Sequence, residues 1–307
     1  MNWKAAGMAG TALLTIAMSG AGAVAGANKF SGNISLAVGQ TFEDDDIASG
    51  PFEFMDDSFA SLTGEAQLNV AFTQNINLQI DLQGVGSFAD TNTGFSLNRD
   101  ASFQAGTHLY WRDTNFAAGV YGGIGIASTG FLPTADYVFA GVEGQYYLNN
   151  FTLGLSAGYL SSNADAPVLA LFDVTTDNLT LKDAWTVRGE ARWYASNKLT
   201  ITADAGFISG DYADGTADLD VLHWGLKAEY VPEEKEPLTL WVAYEGRSSE
   251  ADFNAASVFG EGDVEKDSHT VKIGVTFRFG TDGTVQEQDR SGPAFNQFDY
   301  GEIVVSG

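Results

Sequence analysis

Three histidines, His108, His223 and His269, are the side chains of this chain with a proton to exchange near neutral pH. A hydroxyl nucleophile needs such a base within hydrogen-bond reach. His269 adjoins Ser268, but neighbouring residues of a strand point to opposite faces. His108 stands two residues from Tyr110 and His223 two from Gly225, so neither has a serine at the next position on its own face of the strand. A partner on another strand stays open. Asp44, Asp45 and Asp46 offer the hard carboxylate oxygens that calcium takes, without the spacing of a calcium loop. No metal and no cofactor is expected.

The larger chemistry-bearing set is ionic. Glu65, Asp81, Arg112, Glu143, Arg188, Glu190, Arg192, Asp204, Lys227, Glu229, Glu245, Lys272 and Arg278 all fall in segments that alternate apolar and polar residues. When each segment's phase is set from its apolar residues alone, all thirteen lie on the polar face. A soluble sandwich also alternates, but its outward face is the polar one and commonly lets a charge stray. A charge facing lipid costs roughly 2–4 kcal/mol at mid-bilayer, which explains such strictness. Glu65, Asp81, Glu143, Arg188, Glu190, Arg192, Asp204, Lys227, Glu229 and Lys272 are therefore expected to line a pore. The inward set holds seven acids and six cations. Rings of such charge set ion preference, while pairing across the lumen would close it.

These residues need strands to position them. Twelve alternating segments lie near 33–42, 60–72, 76–87, 102–112, 116–126, 137–148, 151–160, 184–194, 199–207, 219–231, 238–246 and 268–279. Most are about 9–13 residues, the length of a tilted strand crossing a bilayer. Short connections such as Asn149-Asn150 alternate with long ones such as 161–183. Pro51, Pro133, Pro167, Pro232, Pro237 and Pro293 all lie outside the segments, as proline must in central strands. Aromatics on the greasy phase gather at both ends, for example Trp111, Phe116, Tyr146 and Trp193 at the turns and Phe42, Trp185, Phe207 and Trp224 toward the loops. The pattern predicts an all-β fold, a transmembrane antiparallel up-and-down β-barrel of about 12 strands, with short periplasmic turns and long extracellular loops.

Residues 1–27 read as a signal peptide: Lys4, an uncharged run rich in Ala and Gly, and an Ala-x-Ala end. The barrel is assigned to 28–280 and a periplasmic C-terminal tail to 281–307. The formal charge of −25, with 15 basic against 40 acidic residues, speaks against nucleic acid. The absence of cysteine suits an oxidising compartment.

The last segment carries Lys272, Gly274, Phe277 and Phe279, a polar residue and a glycine followed by two alternating aromatics. It resembles the terminal strand of Gram-negative outer-membrane β-barrel proteins, porin-like ones in particular. The resemblance implies an outer-membrane location, recognition of those four residues by the barrel assembly machinery, contact with outer-membrane lipid, passive diffusion of small hydrophilic solutes or ions, and a homo-oligomer as one arrangement. Two other functions stay open: a structural or adhesive barrel with a closed lumen, and a lipid hydrolase. The apolar loop stretch Ala166 to Phe172 fits a constriction folded inward or packing on a neighbouring subunit. In the family the last aromatic stands at or near the C-terminus, whereas here residues 280–307 follow. That tail is a disordered end, a periplasmic docking segment or a plug, with disorder the default for a terminus.

Overall fold

The computed structural model describes residues 30–45, 58–89, 97–129, 135–164, 181–212, 217–233, 237–253, 262–281 and 283–306. Twelve strands follow in order: β1 (Phe30–Asp45), β2 (Ser58–Ala71), β3 (Ile76–Ala89), β4 (Leu97–Arg112), β5 (Phe116–Thr129), β6 (Ala135–Leu148), β7 (Phe151–Ala164), β8 (Leu181–Tyr194), β9 (Leu199–Tyr212), β10 (Ala217–Tyr230), β11 (Leu238–Phe253) and β12 (Gly262–Phe279). Each pairs antiparallel with its neighbours, and β1 pairs with β12, from Gly32 opposite Phe279 to Asp45 opposite Lys266. Closure leaves no unpaired edge, the condition for strands to cross a membrane.

At the short-turn end the strands begin and end within a residue of the limits set by the alternation, except β1, which begins three residues earlier. At the other end they run on, to lengths of 14–18 residues. β10 shows why. Its outward residues from Tyr230 to Leu222 are Tyr, Ala, Leu, Trp and Leu, and then come Asp220 and Asp218. Beyond the hydrocarbon band the apolar phase is no longer required, while the hydrogen-bonded ladder continues.

The surface is inverted relative to a soluble protein. Leu155 is 64% exposed and Trp185 70%, both outward, whereas inward Gln79 and Asp81 are 0% and 2% exposed. Phe42, Trp111, Phe116, Tyr146, Trp193 and Phe207 stand exposed on the outer face. At the two-residue turn between β6 and β7, Asn149 takes positive φ (27°), a conformation Asn tolerates. Among the described residues no helix is long and apolar enough to cross a membrane.

Of the three arrangements open for the C-terminal segment, the plug is the one the structure adopts, in place of the default disorder. It folds back through the short-turn end into the lumen as α1 (Val285–Ser291), an extended run 292–299 and α2 (Tyr300–Ser306). Gly280 (φ 74°) and Gly283 (φ 107°) make the reversal, and a side chain at Gly280 would strike the Phe30 carbonyl. The physical reason for order is burial. Phe295, Tyr300, Ile303 and Val304 are each 5% exposed or less. Ile303 and Val304 pack with inward Leu160, Leu181, Ile208, Leu219 and Val221 near the loop end. Those strand residues are an apolar patch on a wall that the alternation marks as polar, and the tail covers it.

The signal segment 1–27, loop residues 166–172, Asp46, Asp56, Asp57 and Asp214 lie outside the described residues.

Candidate functional site in the lumen

The side chains on the inner wall divide the lumen into two regions. On the β2–β8 side the wall grips the tail. Gln79 donates to the Phe295 carbonyl (2.6 Å) and accepts from the amides of Ala294 (2.8 Å) and Phe295 (3.2 Å). Its orientation follows from Asp81, whose two carboxyl oxygens each accept from the Gln79 amide nitrogen at 2.9 Å. Gln67 adds a second donor to the Phe295 carbonyl at 2.9 Å. Gln104 repeats the arrangement one step along, donating to the Phe298 carbonyl (2.6 Å) and accepting from the Tyr300 amide (3.2 Å). Gln145 and Arg192 reach the Ala294 carbonyl, Arg188 that of Asn296, and Arg112 those of Ser291 and Gly292.

Beneath Phe295 sits a buried ionic knot. His108 Nδ1 lies 2.8 Å from Glu143 Oε1, and Nε2 lies 3.1 Å from Asp81 Oδ2, close enough for an ion pair though not aligned as a hydrogen bond. The imidazole thus lies between two buried carboxyl groups, one facing each ring nitrogen. Its ring stacks on Phe295, 6.0 Å between centroids at 6°.

The charged residues pair with near neighbours along the wall. Arg188 meets Asp204 at 3.2 Å, Arg192 meets Glu190 at 2.6 Å, Lys227 meets Glu229 at 3.2 Å and Lys272 meets Glu245 at 2.5 Å. Arg278 joins Glu229 (3.4 Å) and Asp289 of α1. The charge of the wall is therefore largely cancelled locally. Glu65 is different: among the described residues it has no cation within ion-pair distance.

On the β1, β2 and β10–β12 side the tail leaves a cavity of about 260 Å³. It borders β12 from Arg278 to Ser268, ten residue steps or about 33 Å of strand, comparable with the barrel's membrane crossing. Nine of the ten residues expected to line a pore border it: Glu65, Asp81, Arg188, Glu190, Arg192, Asp204, Lys227, Glu229 and Lys272. Glu143 does not; it lies with His108 under the tail.

Sequence reasoning missed three kinds of lumenal residue. Arg247 faces inward on a part of β11 beyond the alternating segment. Trp241 lies flat over Gly274, donates to Ser35 and Thr276 hydroxyls (3.3 and 3.1 Å), and carries the Lys227 ammonium 4.5 Å from its ring. Tyr110, Tyr121, Tyr137, Phe139, Tyr147 and Tyr194 are inward aromatics. Their position on the polar phase was the available signal. Among the described residues none of the three histidines bonds a serine hydroxyl; His269 faces outward and pairs with Tyr244 at 2.8 Å. Asp44, Asp211, Asp218 and Asp220 are exposed on the loop end.

No protein-family profile matches the chain, and no characterised protein matches it by sequence. Solved structures do match. An outer membrane channel from Pseudomonas putida F1 aligns with TM-score 0.51 and 11% identity over 81% of this chain and 96% of that one. The P. putida toluene transporter TodX aligns at 0.43 and 8% over 82% and 90%. A KdgM porin in complex with disordered oligogalacturonate aligns at 0.43 and 9% over 80% and 99%. At these identities the likeness is one of fold: a closed barrel of the outer-membrane channel type.

Proposed function

We propose that the chain is a non-catalytic, porin-like channel of a Gram-negative outer membrane, passing small hydrophilic solutes or ions. The observation that carries this is the polar cavity left beside the tail, bordered by nine of the ten predicted pore-lining residues and running most of the length of β12. With the tail in place the passage is narrow and suits ions and slender solutes. The outward apolar band takes outer-membrane lipid. The terminal strand, with Phe277 exposed and Phe279 beside Phe30 at the seam, serves assembly. The test is single-channel recording in planar bilayers: small, stable, salt-dependent steps are expected.

A second reading has its own observation. The tail fills the lumen on the β2–β8 side, as a closed structural or adhesive barrel would require. Absence of conductance from protein that is folded by its heat-modifiable gel mobility would select that reading.

A further inference from the structure

We infer that the inner wall of β2–β8 is a binding track for extended polypeptide, which the chain's own tail occupies. This names a ligand class for the lumen and rests on the channel reading only for how such a ligand would arrive. From Ser291 to Tyr300, wall side chains contact the tail chiefly through its peptide groups. The carbonyls of Ser291, Gly292, Ala294, Phe295, Asn296 and Phe298 and the amides of Ala294, Phe295 and Tyr300 are all taken by Gln, Arg or Gln-Asp pairs. Gln79 and Gln104 each hold a C=O and an N–H at once, the two-point contact that a strand edge makes with a peptide. Contacts to polar tail side chains in this run are fewer: Asn296 with Glu190 (2.9 Å), Asp299 with Gln83 (3.3 Å), and the Tyr300 hydroxyl with those of Tyr121 (3.2 Å) and Thr186 (3.5 Å).

The wall is also prepared before the ligand arrives. Asp81 fixes which way Gln79 points. The Tyr137 hydroxyl donates to Gln104 Oε1 (3.0 Å), and Gln104 donates to Gln83 (2.7 Å), which fixes Gln104 likewise. Such preorganisation lowers the cost of binding. A wall that reads peptide groups rather than side chains accepts peptides of many sequences, provided that they are extended and place one ring where Phe295 stacks on His108 and meets Tyr110 edge to face. The glycine reversal at 280–283 supplies the joint about which the resident tail would yield.

The test uses the full chain with a site-specific protease sequence inserted between Thr281 and Asp282, cut after assembly in micelles. Release of the resident fragment is followed as synthetic peptides are added. A peptide of residues 284–306 with Asn296, Gln297 and Asp299 changed to alanine should compete within about threefold of the unmodified peptide. The same peptide N-methylated at Ala294, Phe295 and Tyr300 should be weaker by at least about tenfold, since three peptide donors are lost. An unrelated extended peptide with one phenylalanine should also release the fragment. If the alanine peptide fails as badly as the methylated one, or no competitor releases the fragment, the wall is a fixed clamp for one sequence and the inference falls. The assay measures binding alone, so a lack of conductance in bilayers leaves its result intact.

Discussion

Gly274 shows how a single residue ties the assembly signal to the lumen. It stands in the terminal-strand pattern, and a Cβ there would run into the Trp241 indole and approach the Leu36 carbonyl at 2.7 Å. Gly189, on the outer face of β8, has nothing within 4 Å of the same hypothetical atom. Gly274→Ala should therefore cost about 1–3 kcal/mol through overpacking, and Gly189→Ala should be close to neutral. Urea titration read by tryptophan emission in detergent checks the pair; equal midpoints would mean that the indole moves aside freely. At the same scale, His108→Phe keeps a ring against Phe295 but leaves Asp81 and Glu143 facing each other without a cation. Replacing one partner of a buried ionic cluster is worth about 3–5 kcal/mol. The expected signature is loss of tail protection, seen as faster proteolysis after residue 280 while the barrel itself stays resistant.

At the scale of the strand, the outward phase dictates assembly. Val142→Lys or Leu155→Lys places an ammonium on a side chain that is 58% or 64% exposed in the apolar band, while Ser156→Lys places it inside, on the strand that pairs with β6 and near Glu143 in register. Only the first two should block insertion, scored by the yield of heat-modifiable barrel. Gln79 and Gln145 are unsuitable as neutral inner controls, because both hold the tail. The strands were legible for a physical reason: facing lipid on one side forces a strict period of two, and all twelve segments follow it. Two features were not legible. The loop-end extensions of the strands lie beyond the band that enforces alternation. The plug lies in a tail whose periodicity is too short to read, and its partners, Leu160, Leu181, Ile208, Leu219 and Val221, sit on a phase where apolar residues interrupt the expected polarity. Those interruptions were the clue that something apolar fills the upper lumen. The ten candidate pore residues were placed inward by the same period, but their pairing was not, because partners such as Lys272 and Glu245 are 27 residues apart and meet through barrel register.

At the scale of the whole molecule, charge and plug together set what passes. α1 is fastened at the short-turn end by Arg278 to Asp289 and by Arg290 to the carbonyls of Asn149 and Phe151 (3.0 and 2.8 Å). Asp289→Ala with Arg290→Ala should loosen that end and raise single-channel conductance severalfold, with more noise as the tail moves. An unchanged, quiet trace would show that the wall glutamines alone hold the plug. Selectivity follows from which charges remain uncompensated. Arg112, Arg188, Arg192, Lys227, Lys272 and Arg278 are each paired with a carboxylate or bound to tail carbonyls, whereas Glu65 forms no ion pair among the described residues, and Asp211, Asp218 and Asp220 stand exposed at the loop end of a chain of net charge −25. The full-length protein should therefore prefer cations weakly. The preference should fade as salt is raised, since the Debye length falls from about 10 Å at 0.1 M to about 3 Å at 1 M. Glu65→Gln should reduce it further, because that carboxylate borders the cavity. Arg188→Gln with Arg192→Gln should increase it and also weaken the hold on Ala294 and Asn296. Reversal potentials across a salt gradient decide the matter. A robust anion preference in the unaltered protein would mean that Lys227, Lys272 and Arg247 govern the path despite their partners, and that Glu65 and the acidic mouth do not.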